Sequence, residues 1–318
     1  MNVAVFGGCG YLGRAVSLML ARAGHRVTVA DRFFFGASGF PQNMPIVIRS
    51  CDARLYEEAR SVLRDQDAVV WLVDMPVGVN DGFLFQNVVD ALRMVLEACG
   101  ERRVDRFVLP SWVRTNGTGR DGGVWGSEDR LANLREDTLW SHCRGVGHAI
   151  TLRMPEIVGA ISEGRLRLDL AMNSFVARAL QEGQAAIPDD GLEHPYISLG
   201  DAALAIKLAL SADVDPAWKD TTTFSVSGGS IIYSDFAELL RKRLPESQIV
   251  VQGVPLDRQF EQPDTAPFER WSGFKPGVLL DACIGDVIKV MSANRTMLWT
   301  DPVFHNSKMI RSYLGEDD

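Results

Sequence analysis

The first lysine of this 318-residue chain is Lys207, and no tyrosine is followed four residues later by a lysine. A nearby ammonium lowers the pKa of a phenol and readies it for proton transfer. That arrangement is excluded at this spacing along the whole sequence. Basic runs are missing too, and the net charge is −8 with histidine neutral. This excludes the electrostatic footprint of a nucleic-acid binder. No apolar stretch reaches the roughly 20 residues that span a bilayer. Met1 runs directly into an apolar strand, not into a charged and then apolar leader. Cysteine is scarce: Cys9, Cys51, Cys99, Cys143 and Cys283 have no metal-ligand spacing, and an odd, scattered set reads as reduced thiols. These absences set the expectation of a cytoplasmic protein that handles a small molecule, with no metal, nucleic acid or membrane.

Apolar residues are plentiful, at 46%, enough for a large core. Residues 3–13 read VAVFGGCGYLG. A short apolar strand leads into Gly7, Gly10 and Gly13, with Tyr11 and Leu12 between the last two. Glycines at this spacing let the backbone turn tightly, approach a pyrophosphate and pack the next helix on the strand. The helix start then offers unpaired N–H groups to phosphate. A helical run (14–23) and a second β-branched run (25–30) follow, ending at Asp31. A carboxylate there accepts the adenosine ribose hydroxyls and repels a 2′-phosphate, which favours NAD. Arg32 beside it leaves NADP as the lesser alternative.

The alternation continues. Residues 46–48, 68–73, 106–109 and 149–153 read as strands. Residues 56–63, 81–99 and 125–143 read as helices, with Asp81 as an N-cap. Strands alternating with helices imply an α/β fold, a Rossmann-type doubly wound parallel sheet. The expected division is a dinucleotide-binding domain over 1–160 and a smaller C-terminal substrate-binding lobe over 161–318. Residues 197–210 and 278–291 of that lobe are expected to return toward the core.

Over nearly its whole length the chain resembles the extended short-chain dehydrogenase/reductase family, of the NAD-dependent epimerase/dehydratase type. FGGCGYLG is similar to that family's TGGxGxxG, with Phe6 in the threonine place. Asp52, next to Ala53, matches an acid that contacts adenine. Leu72, Val73 and Asp74 stand at the cofactor-lining strand end, and Asn87 matches an asparagine of the following helix. RMPEIVG (153–159) resembles R-x-x-N-V-Y-G, which sets Pro155 against the cofactor. Segment 191–201 resembles the stretch that returns the chain to the core, and segments 223–230 and 271–276 resemble the C-terminal substrate-binding region. The resemblance implies NAD as cofactor and a possible homodimer through the helices at 81–99 and 125–143.

The departures fall on the chemistry. Family members use a Tyr-x-x-x-Lys and a Ser or Thr. Here Trp125 takes the tyrosine place, Asp129 the lysine place, and Trp112 the Ser/Thr place, with Ser111 adjacent. Indole has only an N–H donor. The candidates for acid/base work are therefore Asp74, Ser111, Glu128, Asp129, Glu156 and His194. Trp112 and Trp125, with Glu156 and His194, are expected to wall the substrate pocket. Glu156 replaces the family asparagine beside a nucleotide-sugar diphosphate, where a carboxylate repels. His194 replaces an arginine. Both changes point to a neutral or cationic small substrate; the alternative is that Glu156 caps a helix or pairs with Arg153 or Arg165. Three functions stay open: an NAD-dependent epimerase/dehydratase-like enzyme with nonstandard residues, a non-redox cyclase, lyase or isomerase, and a catalytically silent dinucleotide sensor.

Overall fold

Val3 and Val5 pack into one layer of the molecule and Ala4 and Phe6 into the other. An apolar run does this when both faces of its strand are covered. The computed structural model describes all residues except Ser38, 75–81, 113–114, 117–126, Glu163, 216–217, 219–220, 255–258, Glu261, Arg295 and 315–318. The side chains of 82–85, 115–116, 127–130, 259–260 and 313–314 also lie outside it.

The N-terminal elements are β1 (Asn2–Phe6), α1 (Tyr11–Arg22), β2 (Arg26–Asp31), β3 (Ile46–Ser50), α2 (Tyr56–Val62), β4 (Ala68–Trp71), α3 (Gly82–Arg102), β5 (Arg106–Trp112), β6 (Thr115–Asn116), α4 (Ser127–His142), β7 (His148–Met154) and β8 (Glu156–Val158). The rest are α5 (Ala171–Glu182), β9 (Gln184–Asp189), β10 (Glu193–Ser198), α6 (Leu199–Ser211), β11 (Thr221–Ser225), β12 (Gly229–Ile232), α7 (Tyr233–Arg243), β13 (Gln248–Gly253), β14 (Gln259–Phe260), α8 (Ala266–Ser272), α9 (Leu280–Ala293) and α10 (Asn306–Leu314).

Seven strands form a parallel sheet in the order β11-β7-β5-β4-β1-β2-β3. The chain moves outward from β1 to β3, then restarts on the other side at β4. This is the doubly wound Rossmann arrangement, and its switch point between β1 and β4 opens a crevice at their carboxyl ends. α1 and α6 cover one face; α2, α3 and α4 cover the other. Trp71 is fully buried, with its ring centroid 5.8 Å from that of Phe6. Side chains of this size each contribute about 1.5–3 kcal/mol on burial.

Two strand ends differ from the sequence expectation. β5 runs on to Trp112, through Pro110. Its register with β4 stops at Val70↔Val108, while its register with β7 continues to Trp112↔Met154. Beyond Val108 it is a one-sided strand, where a missing proline N–H is tolerated. β4 ends at Trp71, although the Leu72 N–H still donates to Phe6 O at 2.8 Å. Asp81 and Trp125 lie outside the described residues.

From the C-terminal half, β11 completes the sheet and α6 packs on α1. Ser198 caps α6 by accepting the Asp201 N–H at 2.8 Å. A third apolar cluster joins α5, α7 and α9 with β9. The Leu168 N–H donates to Phe304 O at 2.8 Å and the Asn306 N–H to Asp169 Oδ2 at 3.0 Å, which brings α10 against residues 165–170. No helix among the described residues is long and apolar enough to cross a membrane.

Candidate functional site

Gly7 turns the chain out of β1 with φ +76°, and its N–H donates to Ala30 O at 2.8 Å. A Cβ at Gly13 would stand 2.3 Å from Gly7 O, so the start of α1 sits directly on the loop. Gly10 precedes α1 with no side-chain cap, which leaves the first N–H groups of a 12-residue helix for a ligand. Asp31 reinforces the loop: its Oδ2 accepts the Cys9 N–H at 2.9 Å and its Oδ1 the Phe33 N–H at 2.8 Å. Each carboxylate oxygen keeps a second lone pair for a further donor.

A cleft of about 420 Å³ begins here, at the switch point of the sheet. Gly7, Gly10, Tyr11, Leu12, Gly13 and Asp31 line it, as does Arg32. Asp52, Ala53, Leu72, Val73, Asp74 and Asn87 extend the lining. Asp52 is bound by Arg54 through Nε at 2.9 Å and Nη2 at 2.5 Å, which holds its carboxyl below the usual range. Arg32 stands 3.7 Å from the same carboxylate and lies over the Phe34 ring at 4.6 Å.

At the other end the cleft reaches Ser111, Trp112 and Arg135. The buried Ser111 hydroxyl donates to Glu136 Oε1 at 2.7 Å. Arg153 anchors that carboxylate through Nε at 3.1 Å and Nη2 at 2.6 Å. Asp74 is held in parallel. Arg135 Nη1 donates to its Oδ1 at 2.9 Å, and Trp112 Nε1 to its Oδ2 at 3.2 Å. Arg135 Nη2 also donates to Pro110 O at 3.0 Å, and the residue is only 2% exposed. Asp74, Ser111 and Trp112, expected as candidates, are thus brought together.

Arg135 and Glu136 were missed in the sequence because the polar run RED reads as a solvated helix face. One signal existed: Glu136 lies seven residues, two helical turns, beyond Asp129, and so shares its face.

Several expected residues stand elsewhere. Pro155 does not line the cleft; its neighbours Met154 and Ile157 do. Glu156 is also absent from the lining, because it caps α5 by accepting the Met172 N–H at 2.8 Å. Burial pushes its carboxyl up to about 7. His194 is another correction. Its ring stacks on Tyr233 at 3.9 Å, its Nε2 is 3.0 Å from Asp190 Oδ1, and it does not line the cleft. Trp125 and the side chains of Glu128 and Asp129 lie outside the described residues.

No protein-family model matches the chain. Its fold is that of solved NAD-dependent epimerases and dehydratases. A UDP-glucose 4-epimerase from Stenotrophomonas maltophila, with bound NAD and formylated UDP-arabinopyranose, is 19% identical with a TM-score of 0.78, covering 93% of this chain and 100% of that one. A UDP-glucose 4-epimerase from Bifidobacterium longum, in complex with NAD+ and UDP, is 14% identical with a TM-score of 0.76, over 93% and 99%. TunA, an NAD-dependent NDP-hexosamine 5,6-dehydratase of tunicamycin biosynthesis, is 17% identical with a TM-score of 0.75, over 92% and 98%. At these identities the likeness establishes the fold.

Proposed function

We propose that the chain binds NAD in this cleft and is an enzyme of the epimerase/dehydratase kind, acting on a small metabolite with acid/base groups of its own. The observation that carries this reading is the continuity of one cleft, from the glycine loop and Asp31 to Asp74, Ser111 and Trp112. The solved neighbours named with NAD support it. When bound, NAD takes up a hydride and can return it.

The chain's own residues supply the rest. Asp31 accepts ribose hydroxyls, and the α1 start meets the diphosphate. Ser111, its proton committed to Glu136, presents oxygen lone pairs to a substrate hydroxyl. Asp74 is the carboxylate that takes the substrate proton, fixed in place by Arg135 and Trp112. No Tyr-x-x-x-Lys takes part, since the sequence has none. The same reading pairs two copies through α3 and α4, supported by Leu134 and Trp140, which are 45% and 61% exposed on α4. Sedimentation of Trp140→Glu against the parent tests this: the variant sediments as a monomer, and an unchanged dimer or a monomeric parent contradicts it.

A catalytically silent dinucleotide-binding protein is the second reading. It is favoured by one observation: Asp74 and Glu136 are each committed to an arginine. The test is a panel of small hydroxy and keto metabolites, incubated with protein and NAD. Nicotinamide absorbance and product isomers or dehydration products are followed. Turnover that Asp74→Asn abolishes, with NAD affinity unchanged, supports the enzyme. NAD binding with no turnover across the panel supports the silent protein.

A further inference from the structure

Arg165 is only 6% exposed, yet its Nη2 has no hydrogen-bond partner among the described residues. Its Nε donates to Val303 O at 2.8 Å. Its guanidinium lies 3.6 Å over the Phe35 ring, in the loop that follows Asp31. The same loop is tied to α1, where Arg14 Nη2 donates to Gly36 O at 3.1 Å and Nε to Cys9 O at 3.0 Å. Arg165 therefore stands beside the glycine-loop end of the cleft, which it lines. Arg167 lines it as well, is 8% exposed, and has one carboxylate partner, Asp169, at 3.0 Å. Among the described residues Asp169 is the one carboxylate ion-paired with either guanidinium, while Glu156, within electrostatic reach of Arg167, is itself pushed toward neutrality by burial. Burial and the Arg167 charge push Arg165 down to about 9. A buried charge left without a full counter-charge is costly, and an anion relieves it.

A second orphan lies in the same wall. Asn306 Oδ1, at the start of α10, is buried without a partner among the described residues and also lines the cleft. An unpaired cationic donor and an unpaired acceptor together match a ribosyl phosphate, which offers anionic oxygens beside hydroxyl donors.

We propose that Arg165, with Arg167 and Asn306 beside it, is an anion site that closes on the diphosphate and adjoining ribose of the dinucleotide from the second wall of the cleft. This rests on the NAD-binding reading above. The proximity to Phe35 and the α1 loop, rather than to Ser111, favours the dinucleotide's diphosphate over an anionic group of the substrate.

Calorimetric titrations of the full chain with NAD, ADP-ribose and adenosine test it, using the parent, Arg165→Gln and Arg165→Lys. Glutamine retains a donor for Val303 O, and melting curves check folding. Arg165→Gln is expected to weaken NAD and ADP-ribose alike by roughly ten- to a hundred-fold, the range for a lost charged hydrogen bond. Adenosine affinity stays unchanged, and Arg165→Lys falls in between because it keeps charge without the fork. If the parent binds NAD and Arg165→Gln binds it equally well, the anion site is overturned and the cofactor reading stands. Equal loss of adenosine, with a lowered melting temperature, assigns Arg165 a structural role and also overturns the site. If the parent binds neither NAD nor ADP-ribose, the cofactor reading fails and the site fails with it.

Discussion

The Ser111 hydroxyl donates to Glu136 Oε1 at 2.7 Å, and the same oxygen accepts Arg153 Nε at 3.1 Å. The bond orients the serine toward the cleft instead of leaving it a free rotor. Ser111→Ala removes the acceptor that positions the substrate hydroxyl and is expected to lower turnover by roughly ten-fold, the cost of one lost neutral hydrogen bond. Glu136→Gln is expected to lower it in the same direction with Ser111 still present, and to cost about 1–3 kcal/mol of stability. Steady-state rates and urea unfolding of both variants check this. Full activity in Glu136→Gln would show that the pairing positions nothing.

Arg135 is 2% exposed and relies on Asp74 for its counter-charge. Asp74→Ala is expected to destabilise by about 3–5 kcal/mol, because it strands a buried cation. Asp74→Ala combined with Arg135→Met should recover most of that loss. Urea unfolding of both single variants and the double variant measures the coupling, and additive losses would contradict it.

Glu156 gives a pH dependence with a definite sign. Burial raises its folded pKa to about 7, above the ordinary value of 4.5. Between those values the folded state holds more protons than the unfolded state, so stability falls as pH rises. The contribution is fully present below about 4.5 and lost above about 7. Its full span is about 3 kcal/mol, since each tenfold change in proton affinity is worth roughly 1.4 kcal/mol. Glu156→Gln should remove this part of the slope in unfolding measured across about pH 4–8, and an unchanged slope would assign it to another group.

Asp31 bonds two backbone N–H groups, those of Cys9 and Phe33, and faces the cleft. Asp31→Ala is expected to weaken NAD binding by roughly ten- to a hundred-fold, read by titration at a temperature where the variant is folded. Trp125→Tyr alone should not create ordinary alcohol oxidation, because residue 129 is aspartate and no lysine precedes Lys207. Strong alcohol oxidation by that variant would refute a remodelled catalytic set.

Strands β1 and β4 were legible because they are short apolar runs with both faces covered, whereas β11, which reads TTTFS, carries no such pattern and was not expected as a strand. The glycines were legible because the backbone turn demands them, and Asp31 because it ends the second strand of the motif; Asp52 was picked out by the family resemblance alone. The passage of β5 through Pro110 was not, because it depends on where β4 stops pairing. Pairings between distant segments were equally hidden. Glu136 with Ser111, Arg135 with Asp74, and α10 with residues 165–170 all arise from tertiary approach, and no local pattern announces them. Glu156 and His194 looked like pocket residues by position in a motif, yet one caps α5 and the other stacks on Tyr233.

Dinucleotide occupancy of the purified chain tests the central claim most directly. Native mass spectrometry gives the mass of the intact protein, and the denatured sample identifies any released ligand. The account predicts NAD released on denaturation, or NAD binding on titration of the empty protein, with NADP weaker. A protein that carries no dinucleotide and binds neither NAD nor NADP on titration would contradict it.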